Sequence, residues 1–95
     1  MPSSLADIDT ANASRYLQQL CKHWSHKFAV VFDQNQGTVP FSEDASLWLR
    51  ANGDVLTLKL DANVERLPTL EQVVREHLQR FAVREELVIE WRPAA

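Results

Sequence analysis

The sequence predicts an α+β fold in which two helices pack on one face of a largely antiparallel sheet of five to six strands. Two segments place apolar residues at helical spacing and have a single apolar stripe each, whereas most of the remaining chain alternates between apolar and polar residues as strands do. The predicted element order is β-α-β-β-β-β-α-β. One-sided helices combined with alternating strands are typical of a two-layer domain.

The composition fits a single globular domain. A chain of 95 residues can bury one hydrophobic core but has no room for a second, so we expect one domain over 1–95, with loose ends at 1–4 and 93–95. Hydrophobic residues make up 45% and charged residues 24%, which is close to the globular average. The net charge of −3 argues against general nucleic-acid binding, for which a basic domain is expected.

Three features predict a cytoplasmic protein. No apolar run is long enough to span a bilayer, so we expect no membrane association. The first residues, MPSSLADID, lack the basic region and the apolar core of a signal peptide. The single cysteine, Cys21, cannot form an internal disulfide, which fits a reducing compartment.

The first helix is predicted over 11–27, after a short strand over 5–10. Asn12 is the expected N-cap, and the helix is expected to end near Lys27, where alternation takes over. At about 100° per residue the apolar positions cover roughly 100° of arc, which is wide enough to lie on a sheet. These positions are Ala13, Tyr16, Leu17, Leu20 and Trp24.

Alternation and turn residues predict the four strands that follow. Residues 28–32 form one strand, and 34–37 form a turn into a return strand over 38–41. Pro40 in the return strand indicates either an edge strand or a position with no ladder bond to give. Asn52-Gly53 then predicts a hairpin. A two-residue turn pairs Ala51 with Asp54, Leu49 with Leu56, Leu47 with Leu58 and Trp48 with Thr57, and places the four leucines on one face.

The last third of the chain predicts a second helix and a closing strand. Thr69 and Gln72 resemble a capping box at the start of the helix. The final strand spans 87–92 and is stopped by Pro93. The apolar stripe of the helix consists of Leu70, Val73, Val74, Leu78 and Phe81.

The first helix also carries a group of cations, and we call these residues the basic flank: Arg15, Lys22, His23, His26 and Lys27. Gln19 projects on the same side. No acid occurs in this helix to neutralise the charges, so the flank is a candidate site for a carboxylate or phosphate. The alternatives are a solvated helix face and an intramolecular partner such as Asp33 or Glu43.

His77 is the most interesting single residue, because it lies inside the apolar stripe of the second helix. One interpretation is a neutral core histidine bonded to a backbone carbonyl. The other is a ligand-binding group, a general base or a metal ligand that faces a cleft between the two helices. Burial would favour the neutral imidazole that either role needs.

The sequence does not support a metal centre, a cofactor or a catalytic nucleophile. His23 and His26 lie one turn apart and offer only two ligands, while Cys21 is about 160° away from His23 around the helix axis. We therefore interpret Cys21 as a packed residue. No Gly-rich phosphate loop or nucleophile elbow is present.

The outer face of the predicted sheet carries several apolar residues among polar ones: Val31, Trp48, Val55 and Val88. A partly apolar outer face suggests a homodimer contact or a ligand surface. Scattered surface hydrophobics are the simpler interpretation.

Three blocks of the sequence are distinctive: 15–17 (RYL), 20–27 (LCKHWSHK) and 77–87 (HLQRFAVREEL). Together with the closing Trp91, they resemble the small bacterial proteins of the domain of unknown function 2218 family. The resemblance covers nearly the whole chain, and Trp24 and Val83 depart from it by replacing an expected phenylalanine. It implies a bacterial cytoplasmic protein, and it implies no established activity.

These observations favour a non-enzymatic binding or accessory module. The expected partner is an anionic small molecule or an acidic protein, held by the basic flank and His77. The alternative is a small enzyme or metal-binding protein whose histidines line the cleft between the helices.

Overall fold

The computed structural model describes residues 2–94 and confirms the predicted α+β architecture and element order. The elements are β1 (Ser3–Asp9), α1 (Ala13–Trp24), β2 (Val31–Phe32), β3 (Gln36–Ser42), β4 (Ala45–Asn52), β5 (Val55–Ala62), α2 (Leu67–Phe81) and β6 (Arg92–Pro93). The strands form one antiparallel sheet in the order β2-β3-β4-β5-β1-β6. α1 packs over β3 and β4, and α2 packs over β5 and β1 on the same face.

The core lies between this inner face and the two helices. Alternate residues of each long strand point inward, and leucines supply most of the buried volume from the sheet. Each fully buried leucine contributes roughly 1.5–3 kcal/mol of transfer free energy. The fully buried large side chains are Ile8, Leu17, Leu20, Leu47, Leu56, Leu58, Leu60 and Leu78.

α1 is shorter than the predicted helix over 11–27. Asn12 occupies the N-cap position, but its side chain makes no capping bond and instead donates to Glu85, with 3.3 Å between Nδ2 and Oε2. The helix ends at Trp24, whose carbonyl oxygen accepts the backbone N–H groups of Lys27 and Phe28 at 3.0 and 2.8 Å. The residues that follow Trp24 therefore lie in a turn beyond the helix.

The hairpin of β4 and β5 is present, but its predicted register is wrong by two residues. Asn52 pairs with Val55, so Gly53 and Asp54 form the turn. Gly53 has a φ of 62°, as a type II′ turn requires at its first central position. The predicted turn would need a positive φ at Asn52 as well, and in 2–94 no residue other than glycine has one.

A shift of two residues keeps every side chain on its predicted face and changes its partner. Trp48 lies opposite Lys59 instead of Thr57. The inward leucines now pair as Leu47 with Leu60 and Leu49 with Leu58, and all four are buried.

The prediction of a strand over 28–32 is correct only for its last two residues. Only Val31 and Phe32 pair with β3. Phe28 turns inward and packs edge-on against Phe41, with 5.2 Å between ring centroids. β3 is not an edge strand, because β2 pairs with it. Pro40 nevertheless lies past the part of β3 that β2 covers, so its missing N–H costs no ladder bond there, which is the second of the two predicted possibilities.

α2 begins at Leu67, two residues before the predicted capping box, so the interpretation of Thr69 as an N-terminal cap is wrong. Pro68 lies in the first turn, where its lack of an N–H group costs nothing. None of the helices found between residues 2 and 94 combines the length and the apolar character that a membrane-spanning helix needs.

The final strand is also much shorter than predicted, because only Arg92 and Pro93 pair with β1. The segment over 87–91 keeps the predicted alternation of burial but lies outside the sheet. Side chains of α2 replace the missing ladder: Gln79 Oε1 accepts the N–H of Leu87 at 2.8 Å, and Arg75 donates to the carbonyl of Ile89 at 3.0 Å.

The described residues near both chain ends take part in the sheet, although loose ends were predicted at 1–4 and 93–95. Ser3 and Ser4 belong to β1, and Ser4 pairs with Pro93 of β6. Ala94 donates its N–H to the carbonyl oxygen of Ser3 at 2.9 Å. The predictions for Met1 and Ala95 lie outside the described residues.

Candidate functional site

The two helices meet at a group of aromatic rings. His23 of α1 lies beside His77 of α2, with 5.5 Å between ring centroids, and beside Phe81, at 6.0 Å. Trp24 also contacts His77, at 5.1 Å between centroids. The structure therefore brings together two of the predicted site residues, His23 and His77.

His77 is half-buried, and its ring is held by its own helix. Nδ1 donates to the carbonyl oxygen of Val73 at 2.7 Å, one turn earlier in α2. This bond leaves Nε2 as the ring nitrogen with no partner among the described residues. The backbone bond is the one expected of a structural histidine, while the free Nε2 keeps a role in binding open.

The basic flank is exposed along its length. Arg15, Lys22 and His23 lie on α1, while His26 and Lys27 lie in the turn after it. Within residues 2–94, none of these five side chains has a carboxylate oxygen within 4.0 Å. The flank is therefore a positive surface that the described part of the chain does not neutralise.

The acids considered as intramolecular partners are not used in this way. Asp33 accepts the backbone N–H groups of Asn35 and Gln36 at 2.7 and 2.9 Å, and these bonds lower the pKa of its carboxyl group. Glu43 is exposed and makes no ion pair among the described residues. The carboxylate of Asp33 stabilises its own turn.

A pocket of about 410 Å³ lies between α1 and the loop after α2, and we call it the flank pocket. Arg15 enters it from the basic flank and Arg84 from the loop, and neither guanidinium has an ion-pair partner in the described structure. The other lining residues are Asn12, Tyr16, Gln19, Phe81 and Val83.

Two further polar groups, Gln19 and Glu85, lie in or beside the flank pocket. Gln19 lines it, and its Oε1 is buried with no hydrogen-bond partner among the described residues. Glu85 lies beside the pocket, where its two carboxylate oxygens accept bonds from Thr10, at 2.6 Å, and from Asn12, at 3.3 Å. Both oxygens of this acid are therefore engaged, although the carboxylate still reduces the net positive charge nearby.

Other predicted site residues remain apart from this pocket. Lys22, His26 and Lys27 do not line it, and neither His23 nor His77 does. Cys21 is fully buried on the opposite flank, and burial raises the pKa of its thiol to about 11, so it is a packed residue and a poor nucleophile. No group of three histidine, cysteine or acidic side chains in 2–94 is placed to hold a metal ion.

Arg84 is a site residue that the sequence pattern did not predict. The second helix ends at Phe81, and the loop that follows folds back toward α1, which brings Arg84 opposite Arg15. A local signal was present, because Arg84 belongs to the distinctive block over 77–87 that adjoins the second helix. Its position across from α1 is a tertiary contact that periodicity does not reveal.

Comparisons with known proteins agree with this architecture. The NMR structure of PA4090 from Pseudomonas aeruginosa is 39% identical, covers 99% of this chain and 98% of its own, and superimposes with a TM-score of 0.81. No curated protein matches the chain. The family described as "Uncharacterized protein conserved in bacteria (DUF2218)" matches residues 5–92. Since this match spans nearly the whole chain, the protein belongs to the DUF2218 family of bacteria.

Proposed function

We propose that the protein is a non-enzymatic binding or accessory module that holds an anionic group on the basic flank, with the flank pocket as the point of closest recognition. The observation that supports this proposal is the pair of guanidinium groups, Arg15 and Arg84, that line one pocket without an acid partner in the described chain. The anionic group belongs to a small molecule or to an acidic protein partner.

Charge is the physical basis of this proposal. Two guanidinium groups that share a pocket repel each other, and an anion between them replaces repulsion with two charge-assisted contacts. Tyr16 and Phe81 supply apolar walls. A volume of about 410 Å³ is within the range of small-molecule sites.

The compartment and the assembly state belong to the same proposal. A cytoplasmic location is supported by the single buried cysteine, which needs no oxidising environment. A homodimer is the alternative use of the exposed apolar residues on the outer face of the sheet, such as Trp48.

Thermal-shift measurements with inorganic phosphate and citrate test the anion site. A ligand at about 100 times its Kd stabilises the folded state by roughly 2.7 kcal/mol, which is a large shift for a chain of this size. Arg15→Ala and Arg84→Ala should each reduce the shift. Arg80→Ala is the matched control, because Arg80 is exposed on α2 and does not line the pocket.

The control also separates binding from general salt effects. Phosphate and citrate stabilise many proteins through exclusion from the surface, and that part of the shift should be equal in all variants. If Arg15→Ala and Arg84→Ala respond to both anions as strongly as the unmodified protein and Arg80→Ala do, the flank pocket is not the site.

A small enzyme or metal-binding protein remains the second candidate, and the contact between the His23 and His77 rings favours it. Native mass spectrometry with zinc tests the metal form of this candidate, with His77→Ala as the control. Binding of one zinc ion that His77→Ala abolishes would favour the second candidate over the anion site.

A further inference from the structure

The outer face of the sheet carries a second concavity, remote from the basic flank. It has a volume of about 510 Å³, and we call it the outer groove. The groove opens to solvent across β2, β3, β4, β5 and β1, on the side of the sheet that no helix covers. The outward side chains that give it its chemical character are Leu5, Val31, Trp48, Arg50 and Lys59.

Strand register explains why these residues converge. Val31 pairs with Thr38, Thr38 with Trp48, Trp48 with Lys59, and Lys59 with Leu5, so these five form one cross-strand row. Side chains in such a row stand side by side on one face of a sheet. The register of the β4–β5 hairpin determines that Lys59 lies beside Trp48, because the predicted register would have placed Thr57 opposite Trp48 instead.

The apolar part of the groove is exposed to an unusual degree. Trp48 is 52% exposed and Val31 is 74% exposed, and they flank Thr38 in the cross-strand row. An exposed tryptophan near an exposed valine costs free energy in water, and apolar patches of this kind mark sites of contact. The groove therefore offers an apolar bed that is open to a ligand.

The charged part of the groove is positive. Arg50 and Lys59 line it, and neither has a carboxylate oxygen within 4.0 Å in the described chain. Two acids lie nearby: Asp33 lines the groove and stays ionised while its Oδ1 accepts two backbone N–H groups, and Asp7 forms an ion pair with Arg92. The charges of Arg50 and Lys59 exceed the single charge of Asp33, so the net charge of the groove lining is positive.

We propose that the outer groove binds a small amphiphilic anion, with an apolar chain or ring against Trp48 and Val31 and a carboxylate between Arg50 and Lys59. Arginine and lysine both form charge-assisted bonds with carboxylates, and the apolar walls exclude a purely polar ion. A second copy related by a two-fold axis through the groove would bring like charges together, which favours an anion over self-association.

Octanoate is a suitable probe, and octanamide is the matched neutral probe with the same chain. In ¹H–¹⁵N spectra, octanoate should shift the indole N–H of Trp48 and amides of β4 and β5 in a saturable manner. Octanamide should bind about fivefold more weakly, because it lacks the charge. Trp48→Ala should weaken octanoate binding by roughly tenfold, through the loss of its apolar surface.

The charged residues are tested separately. Arg50→Gln and Lys59→Gln should each weaken octanoate binding by roughly two- to fivefold and should bring its affinity closer to that of octanamide. Arg80→Gln is the charge-matched control on the other side of the molecule, and it should leave binding unchanged. These glutamine variants alter exposed side chains, so they should fold even if Trp48→Ala does not.

Four results at the groove itself would overturn the inference, and a fifth would do so by locating the probe elsewhere. They are the absence of saturable shifts, equal affinity for the two probes, an unchanged affinity in both glutamine variants, and shifts at Trp48 that follow protein concentration rather than octanoate. The last result would identify a second copy as the occupant, and translational diffusion would show it. Octanoate shifts confined to α1 and Arg84 would instead support the flank pocket and contradict the outer groove, so the two proposals fail independently.

Discussion

Gly37 allows α1 to approach the sheet, and replacing it tests that packing directly. Gly37 is buried in β3 beneath α1. A Cβ atom built there would lie 2.6 Å from Cys21 Sγ and 3.1 Å from Phe32 Cβ, well inside the normal contact distance of roughly 3.5–4.0 Å. In Gly37→Ala, the helix or the cysteine side chain must therefore move.

The expected cost follows from two opposing terms. Overpacking of this kind destabilises a core by about 1–3 kcal/mol, while replacing glycine in a strand recovers about 0.5–1 kcal/mol of backbone entropy. The difference between the two terms is about 0–2.5 kcal/mol. We therefore expect Gly37→Ala to lower the free energy of unfolding by about 1 kcal/mol, and to lower the melting temperature by about 4–8 °C. Urea denaturation followed by tryptophan fluorescence measures the first quantity.

A double-mutant cycle with Cys21→Ala identifies the cause. Cys21→Ala removes the sulfur that a Cβ at position 37 would meet, so Gly37→Ala should cost less in that background, by about 1 kcal/mol. Gly53→Ala is the control, because Gly53 has a φ of 62° and a methyl group at that position would meet no other atom within 4 Å. Its cost should be the same in both backgrounds. Equal costs for Gly37→Ala in both backgrounds would refute the steric explanation.

Two further predictions concern titration and reactivity. Hydrogen bonds from Arg92, and to a lesser extent from Thr57, lower the pKa of the Asp7 carboxyl group in the folded protein below 3.8, its ordinary value. The ionised carboxylate therefore stabilises the folded state at pH values above the pKa that Asp7 has in the unfolded chain. This stabilisation is lost as the pH falls through the lower pKa of the folded state. Both side chains of the Arg92–Asp7 ion pair are about half exposed, so Arg92→Gln should lower the free energy of unfolding by less than about 1 kcal/mol at pH 7. Urea denaturation at pH 3 should show a smaller loss. An equal loss at both pH values would contradict this account. Burial raises the pKa of the Cys21 thiol to about 11, so a thiol reagent at pH 8 should label the folded protein only as fast as it unfolds. Labelling that is as fast without urea as with it would contradict the burial of Cys21.

The sequence predicts the layers of this fold better than its connections. Periodicity identifies which side of each segment is apolar, and the inward leucines of β4 and β5 are buried as expected. It does not identify hydrogen-bond partners. The hairpin turn could consist of Asn52 and Gly53 or of Gly53 and Asp54, and both turns leave every side chain on the same face of the sheet. The positive φ at Gly53, without one at Asn52, selects the second turn.

The two short end strands show the same limit. Alternation over 87–91 predicts burial correctly, but whether a strand forms depends on a neighbour that can pair with it. Here Gln79 and Arg75 of α2 satisfy the backbone instead of a strand. That arrangement depends on contacts between distant parts of the chain, which a local pattern does not contain.

For the candidate site, too, the sequence predicts which side of each helix a residue occupies but not which distant residues it meets. The helical wheel places Arg15 on an exposed flank and Cys21 on the opposite side, and the structure agrees with both positions. The second guanidinium of the flank pocket comes from Arg84, in a loop whose path is set by tertiary packing. His77 lies next to α1 as its place in the apolar stripe implied, although its contact with His23 required the helices to be positioned.

The two-residue strands at the ends of the sheet limit how this protein can associate with others. A partner that adds a strand to a sheet needs a row of free backbone donors and acceptors along an edge. In residues 2–94 the terminal strands β2 and β6 offer only two residues each, and Pro40 removes a donor from the part of β3 that β2 leaves uncovered. Strand addition to β2 or β6 would therefore gain few backbone hydrogen bonds, and side chains on the two broad surfaces offer the larger area for contact.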